Sequence, residues 1–183
     1  SLIEFDNNLA SKITKLIGDD LEVHCSDYKW WIEQVFIEEI HFRRTGEYRF
    51  SKFEEVDELV YSNPEFMSRY MRALLMSSIL WSNHSAIMKY LRDKYVPMLC
   101  NNFSHLEIGP GHGLHLSVVA APESCTSAEG WDVSKSSIAA TQNSLSVLGL
   151  KDKVKVLHKD LYDADLGKSK FDSIVFSEVL EHL

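Results

Sequence analysis

Residues 103–116 read FSHLEIGPGHGLHL, and this stretch decides the fold. The apolar run Phe103–Ile108 predicts a buried strand, and the apolar stretch Leu114–Ala120 predicts a helix. Between them lies a turn with glycine at every second position, residues 109–113. Glycine permits positive φ and leaves the backbone bare, and the free N–H groups at a helix start can face a ligand. The stretch therefore predicts a ligand-binding turn between a strand and a helix.

Alternation of strands and helices continues along the chain after this turn. Short apolar runs at 127–131, 154–157 and 171–176 predict three further strands. The stretch 134–148 predicts a helix that ends at Gly149 as its C′ residue. Strands that alternate with helices in this way form parallel sheets. We therefore predict an α/β fold with a parallel sheet over residues 98–183.

The first half of the chain has a helical pattern throughout. The first predicted helix ends at Gly18, and a second runs from about Tyr28 to Arg44. Asn63 followed by Pro64 predicts a helix start, with Asn as N-cap and Pro at the first helical position. Asn83 is expected to cap a last helix, residues 84–95. We predict a helical cap or lid over residues 1–97, with a domain boundary near residue 97.

Composition narrows the possible partners and the compartment. Lys and Arg number 19 against 27 Asp and Glu, so the net charge is −8 and nucleic acid is not an expected partner. Three cysteines without CxxC spacing argue against a disulfide framework or a zinc site, and predict a cytoplasmic protein. The chain has neither a signal-peptide pattern nor an apolar run long enough to span a membrane, so we expect no membrane partner.

The spacing of the glycines distinguishes two kinds of nucleotide site. A dinucleotide-binding turn reads GxGxxG, whereas here Leu114 stands at the third glycine position and the last glycine comes one residue earlier. GxGxG with Glu107 two residues before it resembles the first motif of class I S-adenosylmethionine-dependent methyltransferases. Three further motifs follow in the family's order: Asp132 after the second strand, HKDLYD at 158–163, and FDSIVFSEVLEHL at 171–183.

The resemblance implies S-adenosylmethionine as cofactor and S-adenosylhomocysteine as product. An acidic side chain at Asp132 can accept hydrogen bonds from both ribose hydroxyls. In the family, residues at the position of Asp160 contact the adenine amino group, and the Leu161 amide would bind a ring nitrogen. The complete set of predicted cofactor-binding residues is Glu107, Gly109, Gly111, Gly113, Asp132, Asp160, Leu161, Ser177 and Glu178.

Each of these elements also has a purely structural interpretation. The glycine turn can be a tight connection between strand and helix, Asp132 an N-cap, and Asp160 a turn residue. Taken together these interpretations are weak, because chance turns have no reason to fall at the carboxyl ends of three successive parallel strands, where ligands bind.

The end of the sequence holds the predicted catalytic residues. Methyl transfer from a sulfonium is an in-line displacement, and a hydroxyl acceptor benefits from a general base. Glu181 and His182 would face the acceptor. The ExxEH spacing also resembles a metal-binding element of some family members, but many small-molecule methyltransferases carry such strings without a metal. We predict no metal, and a helix start with Glu181 in solvent remains the alternative.

The predicted acceptor is a small organic molecule, such as a biosynthetic intermediate. Six side chains of the helical region either line its pocket or form plain core: Met67, Tyr70, Met71, Met76, Trp81 and Met88. A homo-oligomer is compatible with the sequence. Two other functions remain open, an aminopropyltransferase-like enzyme and a non-catalytic partner subunit. The resemblance implies a Rossmann-like, doubly wound α/β fold whose sheet has seven strands in the order 3-2-1-4-5-7-6. Four of these strands are predicted here, over residues 98–183, so we expect an incomplete fold and an isolated chain that is inactive and poorly soluble.

Overall fold

The computed structural model describes residues 2–50, 57–162, 171–177 and 179. The first half is helical, as predicted. It contains α1 (Leu2–Ile17), α2 (Leu21–Thr45), α3 (Pro64–Leu80) and α4 (Ser82–Tyr90), with π-helical turns at Asp57–Tyr61 and Leu91–Tyr95 and a short helical turn at Val96–Met98. Among the helices described, none has both the length and the apolar character needed to cross a membrane.

Two of the predicted helix boundaries are confirmed by local geometry. The Asn63 side-chain oxygen accepts hydrogen bonds from the backbone N–H groups of Glu65 and Phe66, each at 3.1 Å, so Asn63 is the N-cap of α3. At the end of α2, Gly46 adopts φ 78° and its N–H donates to the Phe42 carbonyl at 2.7 Å.

Two other predicted starts were wrong. Helix α2 begins at Leu21 rather than near Tyr28. The prediction missed its first two turns because their buried residues are the polar His24 and Asp27, so the turns lack the apolar periodicity that indicates a helix. Helix α4 begins directly after Trp81, so Asn83 lies inside the helix and is not its cap. A single residue with an extended backbone, Trp81, separates the end of α3 from the start of α4.

The second half forms a parallel sheet with helices between its strands. Its elements are β1 (Phe103–Ile108), α5 (Leu114–Ala120), β2 (Cys125–Asp132), α6 (Lys135–Val147), β3 (Val154–His158) and β4 (Ser173–Phe176). Every strand pair is parallel and the order is β3-β2-β1-β4. This confirms the predicted incomplete Rossmann-like fold, and it brings the carboxyl ends of the strands to one edge.

One hydrophobic core joins the helical region to the sheet. Leu9 and Ile13 of α1 and Leu75 of α3 belong to the same buried cluster as Phe103 of β1 and Leu114 of α5. The opposite face of the sheet carries a smaller cluster of Leu106, Ile108 and Trp131. The domain boundary near residue 97 stays a prediction, but the core itself extends across that position.

Polar contacts fix α2 against α3. The Asp27 carboxylate is buried and accepts hydrogen bonds from Nε of Arg69 at 2.9 Å and Nε of Arg72 at 2.6 Å. The indoles of Trp31 and Trp81 stack with ring centroids 4.9 Å apart. The helices beside the sheet are therefore held to one another by an ion-pair network and by aromatic packing as well as by the shared core.

Candidate functional site

A cleft of about 450 Å³ lies between the carboxyl edge of the sheet and helices α3 and α4. Its floor is formed by the glycine turn after β1, by Asp132 and Val133 after β2, and by residues 159–162 after β3. Its other wall is formed mainly by side chains of α3. The predicted ligand-binding turn therefore opens onto a cleft large enough for a small ligand.

The glycine turn has a backbone that other residues adopt only with strain. Gly109, Gly111 and Gly113 have φ of 65°, 57° and 79°. A Cβ on Gly109 would lie 2.5 Å from Cγ2 of Val179, and one on Gly113 would lie 3.0 Å from Cα of Thr141. Gly109 and Gly111 line the cleft, whereas Gly113 is buried against α6. The glycines thus serve two purposes, an open backbone at the cleft and close packing of the helix behind it.

Asp132 lies at the end of β2, in the floor of the cleft. Its Oδ1 accepts a hydrogen bond from the backbone N–H of Ser134 at 2.8 Å. Burial raises the pKa of Asp132, and hydrogen bonds from the N–H groups of Ser134 and Gly111 oppose the rise. The N-cap of α6 is Ser134, whose hydroxyl accepts from the Ser137 N–H, so the interpretation of Asp132 as that cap was wrong. A buried acceptor at this edge is available to the ligand.

Asp160 and Leu161 follow β3 and also line the cleft. The exposed Asp160 accepts a hydrogen bond at Oδ1 from the Tyr162 N–H at 2.9 Å, which is the turn role that the sequence left open. Leu161 packs on the small cluster of Leu106, Ile108 and Trp131. Lys159 enters the cleft as well, with Nζ 4.0 Å from the centroid of the Trp131 ring.

Glu107 lies outside the cleft. Its side chain is fully buried, and within the described part of the chain neither carboxyl oxygen has a hydrogen-bond partner. Burial raises the pKa of Glu107 well above its usual value. Nε2 of His105 lies 4.0 Å from Oε2 of Glu107, and both side chains lie on the same face of β1. Direct contact of Glu107 with the cofactor stays a prediction.

The segment after β4 is described only in part. Ser177 and Val179 line the cleft. Glu178, Glu181 and His182 lie outside the described residues, so their predicted roles stay predictions. Within the part of the chain that is described, no group of three or more His, Cys, Asp or Glu side chains is arranged to hold a metal ion.

The six candidate pocket residues of the helical region divide into two sets. Met67, Tyr70 and Met71 line the cleft. Met76 and Met88 pack in the main hydrophobic core, and Trp81 stacks on an indole of α2. The Met71 sulfur also accepts a hydrogen bond from the Ser137 hydroxyl at 3.5 Å, which ties α3 to α6 across one end of the cleft.

Three histidines line the cleft where the helices meet the glycine turn: His84, His112 and His115. Burial and neighbouring imidazoles lower the pKa of His112 to about 3 and that of His115 to about 4. Both rings are therefore neutral at physiological pH. His112 and His115 lie beside the glycines in the sequence. His84 is distant from them in the sequence and reaches the cleft through the packing of α4, which no local pattern indicates.

Comparison with known proteins agrees with this geometry. Residues 106–183 match a protein-family model described as a methyltransferase domain. The chain is similar to the solved structure of the mitomycin 7-O-methyltransferase MmcR, with a TM-score of 0.54 and 17% identity. The alignment covers 90% of this chain and 45% of that one, so the chain spans about half the length of that protein.

Two further solved structures resemble the chain less closely. PigF, solved with SAH, gives a TM-score of 0.49 at 16% identity and covers 87% of this chain and 43% of PigF. An O-methyltransferase family protein from Burkholderia thailandensis gives 0.45 at 16% identity and covers 72% of this chain and 38% of its own. Among curated protein sequences there is no significant match. The family match and the MmcR-like fold confirm the resemblance inferred from the motifs.

Proposed function

We propose that this chain, which has a class I methyltransferase fold, transfers a methyl group from S-adenosylmethionine to a small organic acceptor held beneath helices α3 and α4. One observation carries the proposal: the glycine turn after β1, Asp132 after β2 and Asp160 after β3 line a single cleft. Unrelated turns at three strand ends have no reason to present an open backbone and two acidic side chains to one space.

The cleft residues fit the parts of a nucleoside joined to an amino acid. The bare backbone at Gly109 and Gly111 permits close approach of the amino-acid portion. The Asp132 carboxylate suits the ribose hydroxyls, and Asp160 with the Leu161 amide suits the adenine edge. When bound, the cofactor supplies an electrophilic methyl group on sulfur.

The wall opposite the sheet suits a small apolar acceptor. Met67, Tyr70, Met71, Leu74 and Ile87 contribute thioether, aromatic and aliphatic surface to it. Among the described residues that line the cleft, Lys159 is the single lysine or arginine. Its Nζ lies over the Trp131 ring, on the sheet side of the cleft. Such a wall can orient an organic molecule by apolar contact, and it offers no basic track for a phosphate backbone.

Binding is the first test of the proposal. Calorimetry on the full-length gene product should show S-adenosylmethionine and S-adenosylhomocysteine binding, with no measurable binding of NAD, because the glycine spacing differs from the dinucleotide pattern. A labelled-methyl assay with a panel of phenols, amines and thiols would then identify the acceptor class. Failure of both sulfur nucleosides to bind would overturn the proposal.

A further inference from the structure

Helix α3 contacts the glycine turn at two points along its cleft-facing side. The α3 residues that line the cleft recur at helical spacing, and they are Met67, Tyr70, Met71, Leu74 and Ser78. Near the middle of this side the contact is apolar, since a Cβ on Gly111 would lie 3.6 Å from Sδ of Met71. At its end, Ser78 is buried, and its Oγ lies 3.3 Å from Nε2 of His112 in the turn. The second contact is a hydrogen bond and is therefore directional.

The imidazole of His112 also completes the start of α5. The N-cap of that helix is Gly113, which has φ 79° and no side chain to accept a hydrogen bond. The ring of the preceding residue does so instead, because Nδ1 of His112 accepts from the Leu114 N–H at 3.2 Å. One of the backbone N–H groups that a helix start leaves without a partner is satisfied in this way.

The contact with Leu114 determines which nitrogen of His112 carries hydrogen. Burial and the neighbouring imidazoles of His115 and His84 lower the pKa of His112 to about 3, so the ring is neutral at physiological pH. A neutral imidazole has a single N–H, and Nδ1 is the acceptor, so the hydrogen lies on Nε2. Nε2–H therefore donates to Oγ of Ser78. One ring nitrogen is bonded to the start of α5 and the other to α3.

The bond to Ser78 restrains α3 in a way that the other contacts do not. The ion pairs of Arg69 and Arg72 with Asp27 fasten α3 to α2, not to the turn. At Met71 the contact depends on a flexible thioether, which adapts to its surroundings. Ser78 has a short side chain, so a bond to its hydroxyl fixes the helix backbone itself relative to the turn.

We infer that His112 is a positioning residue, which holds the acceptor wall on α3 at a fixed distance from the cofactor turn. The inference rests on the proposed methyl transfer. In-line displacement requires the reacting atoms about 3 to 3.5 Å apart, and a misplacement of about 1 Å can cost about 100-fold in rate. The cofactor would lie on the turn and the acceptor against α3, so the bond between His112 and Ser78 sets the separation of the two reactants.

Hydrogen exchange on the full-length gene product tests this link without a known acceptor. In the wild type, saturating S-adenosylhomocysteine should order the turn and slow amide exchange over residues 74–80 by about fivefold, the factor that one hydrogen bond supplies. His112→Asn keeps an acceptor for the Leu114 N–H but is too short to reach Ser78, whereas His112→Gln can still donate to Ser78. The slowing should fall below about twofold in His112→Asn and in Ser78→Ala, and it should persist in His112→Gln. Ser77→Ala, which removes the neighbouring buried hydroxyl of α3, is the matched control and should keep it.

The labelled-methyl assay measures the effect on rate. With the phenols of the panel, 4-methoxyphenol first, His112→Asn and Ser78→Ala should each lower kcat by about tenfold and raise the Kd for S-adenosylhomocysteine by less than about threefold. Because the two changes remove the same bond, the double variant should lose no more than either single variant. His112→Gln should keep most of the rate.

The possible outcomes separate this inference from the proposed function. If S-adenosylhomocysteine binds but does not slow exchange over residues 74–80, or slows it equally in all variants, the inference is wrong and the proposed function stands. A loss in Ser77→Ala or His112→Gln as large as that in His112→Asn would also overturn the inference, since it would indicate a general packing defect. If the cofactor binds but no phenol is methylated, the exchange result alone decides. Absence of cofactor binding would overturn both.

Discussion

Replacing Asp132 tests the assignment of the cleft to a nucleoside. The carboxylate is 9% exposed, so most of its desolvation cost is already met by folding, and ligand binding gains hydrogen bonds without that penalty. A hydrogen bond to a charged group contributes about 1.5 to 3 kcal/mol. When the carboxylate is removed, water can hydrogen-bond to the ribose hydroxyls in its place, which offsets part of the loss of the two bonds. We therefore expect Asp132→Ala to lose about 2 to 3 kcal/mol of binding free energy. At 1.4 kcal/mol per tenfold, the Kd rises roughly 30- to 150-fold.

The assay is calorimetry with S-adenosylhomocysteine on the full-length gene product. Asp132→Asn keeps one acceptor oxygen, which can still accept the hydrogen bond from the Ser134 N–H. The Kd of this variant for S-adenosylhomocysteine should therefore rise only about tenfold. Asp152→Ala removes an exposed carboxylate outside the cleft and should not change the Kd. An unchanged Kd in a folded Asp132→Ala protein would refute the ribose assignment.

Three further predictions concern stability. Burial lowers the pKa of His105 to about 4 from an unfolded value of 6.5, so as the pH falls from 6.5 to about 4 the unfolded chain binds more protons and the free energy of unfolding decreases. Denaturant unfolding at pH 7 and at pH 4 should show that His105→Gln makes this decrease smaller by about 3 kcal/mol. Gly113→Ala should lower the melting temperature more than Gly149→Ala, since both have positive φ but only Gly113 has close neighbours; equal losses would contradict this. Asp27→Asn should cost about 1 to 3 kcal/mol in denaturant unfolding, and the exposed Glu39→Gln less than about 0.5; similar costs would refute a structural role for the buried carboxylate.

Local sequence signals predicted the parts of the fold that depend on near neighbours. The bounds of β1 and α5 agree with the prediction, because an apolar run that ends in a glycine turn depends on the residues beside it. The start of α2 was not predictable in this way. His24 and Asp27 are buried there, and Asp27 is paired with arginines more than 40 residues along the chain, which periodicity does not report.

The candidate site shows the same division. Asp132 and Asp160 reach the cleft because the carboxyl ends of parallel strands share one edge, which sequence order implies. Glu107 belongs to the same motif, yet strand alternation places its side chain with Phe103 and His105, on the face of β1 that carries the main core. His84 enters the cleft through the bend at Trp81, and that bend has no distinctive sequence signal.

The core that joins α1 and α3 to the sheet has a practical meaning for engineering acceptor specificity. Leu75 packs in the same core as Leu114, while Met71, one turn earlier on α3, lines the cleft. A chimera that takes its helices from a related enzyme would therefore replace part of the packing beneath the glycine turn along with the pocket wall. Point changes on the cleft-facing side of α3 leave that packing in place, so they are the better route to a new acceptor.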